Sequence, residues 1–346
     1  MTDWIATRAR KAGHLRIALE NDGDLDARVV TAGFERFHFI PNALPEINLS
    51  DVETGTAIFG RRLGAPLLIS SMTGGTEQAG ALNRILAGVA QRHRLAMGLG
   101  SGRVLLENPR LLPTFDVRAY APDVLLFANL GAVQLNQGVS LDDCRRLVDD
   151  LSADGLILHL NPLQEALEPD GDTTFGGLLA RIAALCTALK APVVVKEVGF
   201  GLAPEVVRRL REAGVSAVDV AGAGGTAWTR IEAKRAREPW RADVCEDLAG
   251  WGMPTATAIQ LARDAAPFGL VFGSGGVRTG LDVAKAIALG ADLAGIARPF
   301  LHAATEGPEA ADHYARRLIE GLRVTMFAIG ATTVGALRGS NRLTAS

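Results

Sequence analysis

Cysteine is scarce in this sequence: three in 346 residues, Cys144, Cys186 and Cys245, widely separated. That spacing excludes a disulfide framework and a cysteine metal site, and it predicts thiols that simply pack, in a reducing cytoplasm. Aromatic residues are also few, 5% against 48% hydrophobic. The core must therefore be assembled from Ala, Val, Leu and Ile, as in α/β proteins. Neither sign of charge is in large excess. A net charge of −2 gives no footprint for bulk nucleic-acid binding. No apolar run reaches the ~18 residues of a membrane span, and the opening "MTDWIATRARKAGH" lacks the apolar core of a secretory signal. There is no low-complexity tract and no clear linker. The length suits one large domain or two modest ones.

What is present is a repeat of short apolar runs, each closing on polar or glycine-rich residues. They begin at Ala65, Leu95, Asp123, Gly155, Pro192, Ala217, Gly269 and Leu293. Most are continuous rather than alternating, which predicts strands covered on both faces. Amphipathic helical patterns lie between them, as in "AGALNRILAGVAQRH" and "LAPEVVRRLREAG". Strand and helix repeated eight times predict a (β/α)8 TIM barrel. A doubly wound sheet is the structural alternative, but it does not need eight units with polar residues at every strand's C-terminal end. The expected organisation is a single domain: an N-terminal extension over 1–60, the barrel over 61–306 and a C-terminal helical segment over 307–346. A long loop after strand 6, residues 227–254, is expected over the active-site face.

The chemistry gathers at the strand ends. "GSGGVRTGLD", from Gly273, runs a strand through glycines into a helix beginning near Thr279. Glycines allow close backbone approach to an anion, and a helix N-terminus offers free N–H groups and a positive dipole end. The next strand closes on Ala297 and Arg298. Loops after strands seven and eight frequently build the phosphate site of such barrels. "SSMTGG", from Ser70, ends the first strand, Asn129 the third and Lys196 the fifth. A lysine in an apolar strand is costly unless paired. Glu197 is a poor partner, because adjacent strand residues point to opposite faces. Lys196 is expected to face the barrel mouth, where it suits the negative charge of a reduced flavin. A phosphate site plus polar contacts around the mouth suggests FMN.

"HLNPLQE" concentrates four polar side chains after the fourth apolar run. His159 and Asn161 share a face. Pro162 stops the strand, and Gln164 and Glu165 are expected in the loop beyond. Taken singly, a histidine is more often a core residue and a loop glutamate is solvated; together they point to a cavity. Near the N-terminus, Arg10 and His14 are four apart on one helix face, with Lys11 beside them. From charge alone, a solvated basic helix, a weak membrane-surface contact and a diphosphate clamp remain open.

With these motifs in order, the chain resembles the type 2, FMN-dependent isopentenyl-diphosphate delta-isomerases. The resemblance runs from "RKAGH" to about "TMFAIGA". It includes "SSMTGG", "GSGRVLLENPR", "HLNPLQE", "VVVKEVGFG", "GAGGT", "SGGVRTGLD" and "ARPFL". The "RK..H" and "H.N..QE" patterns are its most specific parts. The resemblance implies that Arg10 and Lys11 bind the substrate diphosphate, helped by His14, Ser101, Gly102, Arg103, His159 and Asn161. It also implies that Gln164 lies beside the isomerised double bond, with Gln164 and His159 the catalytic candidates, and that Glu165 ligates Mg²⁺. The FMN ligands it implies are Ser70, Ser71, Met72, Thr73, Ser101, Asn129, Lys196, Thr226, Gly276, Val277, Arg278, Ala297 and Arg298. NAD(P)H is the implied reductant, and tetramers or octamers the implied assembly. Ala221 stands where relatives generally carry serine, removing one hydroxyl near FMN. The competing enzyme class is an FMN-dependent 2-hydroxy-acid oxidase or dehydrogenase. Its His-Gly-Gly-Arg run is absent here, where "GAGGTAW" stands. A non-catalytic flavin-binding scaffold leaves "RK..H" and "HLNPLQE" unexplained, and a metal hydrolase lacks ligand partners for Glu165.

Overall fold

The computed structural model describes Gly13, Arg16, Ile17, Leu19 and residues 30–346. Arg10, Lys11 and His14 lie outside the described residues. All eight apolar runs contain strands: β1 Leu67–Ile69, β2 Ala96–Gly98, β3 Leu126–Gly131, β4 Gly155–His159, β5 Val193–Lys196, β6 Ala217–Asp219, β7 Leu270–Ser274 and β8 Leu293–Ile296. Each pairs in parallel with the next, and β8 returns to β1 through Ala294 opposite Leu67, closing the barrel.

Helices return the chain between strands: α1 Glu77–His93, α2 Arg103–Glu107, α3 Leu141–Asp150, α4 Pro162–Leu167, α5 Leu178–Ala188 and α6 Pro204–Glu212. The long β6–β7 connection is not an open loop. It carries α7 Trp228–Arg235 and α8 Pro239–Asp247 before α9 Thr255–Ala265; then follow α10 Gly280–Ala288, α11 Arg298–Glu306 and α12 Pro308–Ile329. The starts are written locally. Ser140 caps α3 and Thr279 caps α10, each in a reciprocal box with an aspartate at the third helical position. The C-terminal segment is not helical throughout. Leu343–Ala345 forms a strand antiparallel to Phe37–Phe39, which ties the two extensions together.

The barrel interior is built in rings, because every second residue of a strand points inward. The lower ring is apolar: Leu68, Ala96, Phe127, Ile157, Val194, Ala217, Phe272 and Leu293 form one buried cluster. A hairpin of Thr56–Ile58 and Arg61–Leu63 closes that end. Its Ile58 and Leu63 join the cluster, and Phe59 meets Phe127 edge-to-face at 6.2 Å. Two residues further along the same strands stand Ser70, Gly98, Asn129, His159, Lys196, Asp219, Ser274 and Gly295. The sequence changes chemistry over one inward step, and that change sets the floor of the mouth.

Cys144 and Cys245 are buried and Cys186 half-buried. Burial pushes the Cys144 thiol up to about 12 and the Cys186 thiol up to about 11, as inert packing thiols require. Among the described residues, no helix is long and apolar enough to cross a membrane.

Candidate active site

A cavity of about 540 Å³ opens at the C-terminal ends of the strands, within the ~300–1,000 Å³ of small-molecule sites. Its floor includes Ser70, Asn129, His159, Lys196, Ser274 and Gly295, and its walls come from the loops above. Two hydroxyl oxygens at the end of β1, Ser70 Oγ and Ser71 Oγ, are buried without a hydrogen-bond partner. Unpaired buried polar atoms are costly, so these two fit a polar ligand lying against β1.

On the β7–β8 side the wall is mostly backbone. Gly275 and Gly276 hold φ values of +107° and +72°. A side chain on Gly276 would collide with the Gly224 carbonyl. The expected helix cap is present but partly self-satisfied: the Asp282 carboxylate accepts the N–H groups of Arg278 at 3.1 Å and Thr279 at 3.0 Å. Those two N–H groups are thereby occupied by the chain's own carboxylate. The surrounding groups are the Gly275–Val277 turn, Arg278, and Arg298 at the start of α11, all lining the cavity.

Lys196 is buried in the cavity floor, opposite Asp219 on β6. Burial pushes its pKa down, while the charges of Asp219 and Glu197 oppose that shift. Its ammonium donates to the Glu197 carbonyl at 2.5 Å, not to the Glu197 carboxylate. Burial pushes the Glu197 carboxyl up to about 7, against the N–H groups of Phe200, Gly199 and Val198, which hold it down. Burial also raises Asp219, against Lys196 and a bond from Ser274 Oγ at 2.7 Å. A buried cation facing the cavity, with its counter-charge on the neighbouring strand, fits an anionic or electron-rich ligand above it.

At the β4 end, His159 Nδ1 lies 2.8 Å from Asn129 Oδ1. Strand pairing ends at His159, and Asn161 becomes the N-cap of α4. Gln164 and Glu165 are therefore on a helical turn, not in a loop as expected. Pro162 stops the strand but also starts a helix, because its fixed φ suits the first helical position. That turn folds the polar groups onto one another. Asn161 Nδ2 donates to Gln164 Oε1 at 3.2 Å and Glu165 Oε1 at 2.8 Å. Glu165 Oε2 accepts the Asp172 N–H at 2.7 Å. Gln164 Nε2 donates to Glu232 Oε1 at 3.2 Å. Glu232 pairs with Arg235 at 2.6 Å, and Arg235 with Glu168 at 3.0 Å.

Every described residue expected in the site lines this cavity except Gly102. Gly102 instead packs toward the Leu147 side chain. Arg103 reaches the cavity wall while paired with Asp172 at 2.6 Å and Glu107 at 3.1 Å. Glu168, Asp172, Asp219, Glu232 and Arg235 were not anticipated. For Asp219 a signal existed, since buried Lys196 needed a counter-charge and "AVDVAG" places one in the next strand. Glu168, Glu232 and Arg235 depend on α7 folding back over α4, and Asp172 on the turn after α4 meeting Glu165 and Arg103. Among the described residues, no group of three or more His, Cys, Asp or Glu side chains could hold a metal. Glu165 with the buried, unpartnered Asn161 Oδ1 fits Mg²⁺ only if substrate phosphate and water supply most ligands, which is usual for that ion.

A family model described as FMN-dependent dehydrogenase matches residues 174–343. Solved structures of similar fold include a mandelate oxidase variant with an FMN adduct (TM-score 0.66, 22% identity, 94% of this chain and 92% of that one). Another is a flavocytochrome b2 variant with bound pyruvate (TM-score 0.69, 19% identity, 96% and 82%); at such identities the likeness concerns the fold alone. Sequence relatives cover the chain far more closely. Proteins named isopentenyl-diphosphate delta-isomerase are 50% identical in Nostoc sp. over 99% of this chain and 97% of the relative, and 53% identical in Synechococcus sp. over 95% and 94%. One from Rickettsia bellii is 44% identical over 95% of each chain. With its flavin-type barrel and its match across nearly the whole length, the chain belongs to the type 2, FMN-dependent isopentenyl-diphosphate delta-isomerases.

Proposed function

We propose that this protein interconverts isopentenyl and dimethylallyl diphosphate by an allylic proton shift at the barrel mouth. The observation that carries the reading is the interlocked Asn161–Gln164–Glu165–Glu232 network beside a cavity fitted for a flavin. No carbonyl acidifies the carbon that must lose its proton. Protonation of the alkene, giving a tertiary cation, is the easier first step and needs a placed acid. The Gln164 amide cannot serve as that acid, and Glu165 is engaged by Asn161 and Asp172. Bound and reduced, FMN would supply the acid and base for the shift and an electron-rich face toward the cation.

The chain's residues then have distinct tasks. Ser70, Ser71, Met72, Thr73, Ser101, Asn129 and Thr226 would hold the ring and its tail. Gly276, Val277, Arg278, Ala297 and Arg298 would hold the phosphate. Lys196 would balance negative charge on the ring. Arg10, Lys11 and His14, with Ser101, Arg103, His159 and Asn161, would bind the substrate diphosphate, and Glu165 would hold Mg²⁺ against it. Gln164 would position the double bond. Closing these groups over the substrate excludes water that would trap the cation. NAD(P)H would be needed only to reduce the flavin, since turnover is redox-neutral. We place the protein in the cytoplasm as a tetramer or octamer, the assembly that the family resemblance implies.

The test is anaerobic incubation with FMN, Mg²⁺ and isopentenyl diphosphate, followed by proton NMR. Dimethylallyl diphosphate is expected with dithionite- or NADPH-reduced flavin and not with oxidised flavin. Full turnover with oxidised flavin would refute the proton-transfer role. No product with reduced flavin bound would refute the isomerase reading.

A further inference from the structure

We infer that Arg235 is a positioning residue for Gln164, acting through Glu232; the inference rests on the isomerase reading above. An amide has two ends of similar shape and opposite hydrogen-bonding character. Which end of Gln164 faces which neighbour decides whether it presents a donor or an acceptor to a double bond. Its Nε2 donates to Glu232 Oε1 and its Oε1 accepts from Asn161 Nδ2, both at 3.2 Å. Asn161 is fixed in turn, because the same Nδ2 donates to Glu165 at 2.8 Å. The chain of contacts thus runs from carboxylate to carboxylate, each link an amide N–H directed at an oxygen.

That order holds only while Glu232 is an anion and accepts alone. Its side chain is fully buried, and burial favours the neutral acid. A neutral acid can donate, which lets the Gln164 amide turn over. Arg235, three residues along α7, opposes this: its Nη1 lies 2.6 Å from Glu232 Oε2 and 3.0 Å from Glu168 Oε1. One guanidinium holds two buried carboxylates. From α8, Cys245 is pushed up by burial, and the Glu232 charge adds to that shift.

The test is steady-state kinetics on the reduced holoenzyme with isopentenyl diphosphate. Arg235→Gln is expected to lower kcat about 10-fold or more, with KM and FMN content unchanged. Arg235→Lys, which keeps the charge but not the two-sided reach, should fall between this variant and wild type. Glu232→Gln should lose a similar amount, and the double variant no more than either single one. Wild-type kcat in Arg235→Gln would overturn the inference. So would additive losses in the double variant, or a loss confined to KM and FMN content. If Arg235→Gln fails to fold, Arg235→Lys decides: an intermediate kcat at unchanged KM supports the role, and a wild-type kcat overturns it. A wild-type enzyme that does not isomerise the substrate would remove the isomerase reading, and this inference with it.

Discussion

Leu68, Phe127, Ile157, Val194, Phe272 and Leu293 point into the barrel from six strands. Ser70, Asn129, His159, Lys196, Ser274 and Gly295 follow two residues later on the same strands and line the cavity. The backbone is the same in both rings. Only the side chains differ, and the difference separates holding the barrel from using it. The lower ring excludes water and is sealed by the Phe59 hairpin. The upper ring carries buried polar atoms, a buried lysine and a buried aspartate, all of which burial disfavours. Such groups weaken a fold unless a ligand or a partner satisfies them.

The largest effect expected is from Phe127→Ala. It opens a void in the lower ring and should cost ~3–5 kcal/mol, read from chemical denaturation, while the folded fraction still binds FMN. Lys196→Met gives the upper ring the character of the lower. Turnover should fall ~10²–10³-fold in anaerobic kinetics, with the circular dichroism of the barrel retained. The comparison breaks if Lys196→Met unfolds the chain, or if Phe127→Ala stops turnover without destabilising it.

Asp312, outside both rings, is a control. It ties α12 to the end of α1 by accepting from Arg92 at 2.7 Å, His93 at 2.8 Å and Arg316 at 2.8 Å. Burial pushes its carboxyl up, but the hydrogen bonds and charges of His93 and Arg92 outweigh this and hold it at about 2. Because the folded value lies below the unfolded one, the stabilisation is present above pH ~4. It is lost as pH falls toward 2. Asp312→Asn should cost about 1–2 kcal/mol at neutral pH, allowing for the solvent exposure of both arginines. The gap from wild type in thermal melting should close on acidification, with kcat unaffected throughout. The smallest effect is at the upper rim: Ala221→Ser adds a hydroxyl worth ~1 kcal/mol and should tighten FMN binding by up to about 5-fold in equilibrium titration.

The rings also explain how far the sequence could be read. Eight apolar runs located eight strands, because each strand is covered on both faces. Inward parity then took Lys196 and His159 to the mouth correctly. The same parity kept Glu197 away from the Lys196 ammonium, although its main-chain carbonyl became the acceptor. Period and parity describe one strand at a time, and the rest of the site is built between elements. Pro162 was legible as a strand stop but not as the first residue of α4. Asp282 was visible, but its capture of the Arg278 and Thr279 N–H groups needed the turn in place. Glu232 and Arg235 lie about seventy residues after Gln164, and only the fold of the β6–β7 connection brings them together.

The most direct measurement is isomerisation in D₂O by the reduced enzyme, with the flavin spectrum recorded while product is analysed by NMR and mass spectrometry. The account predicts solvent deuterium in dimethylallyl diphosphate over many turnovers, with the flavin still reduced at the end. Flavin oxidation in step with product, or product without solvent deuterium, would contradict it.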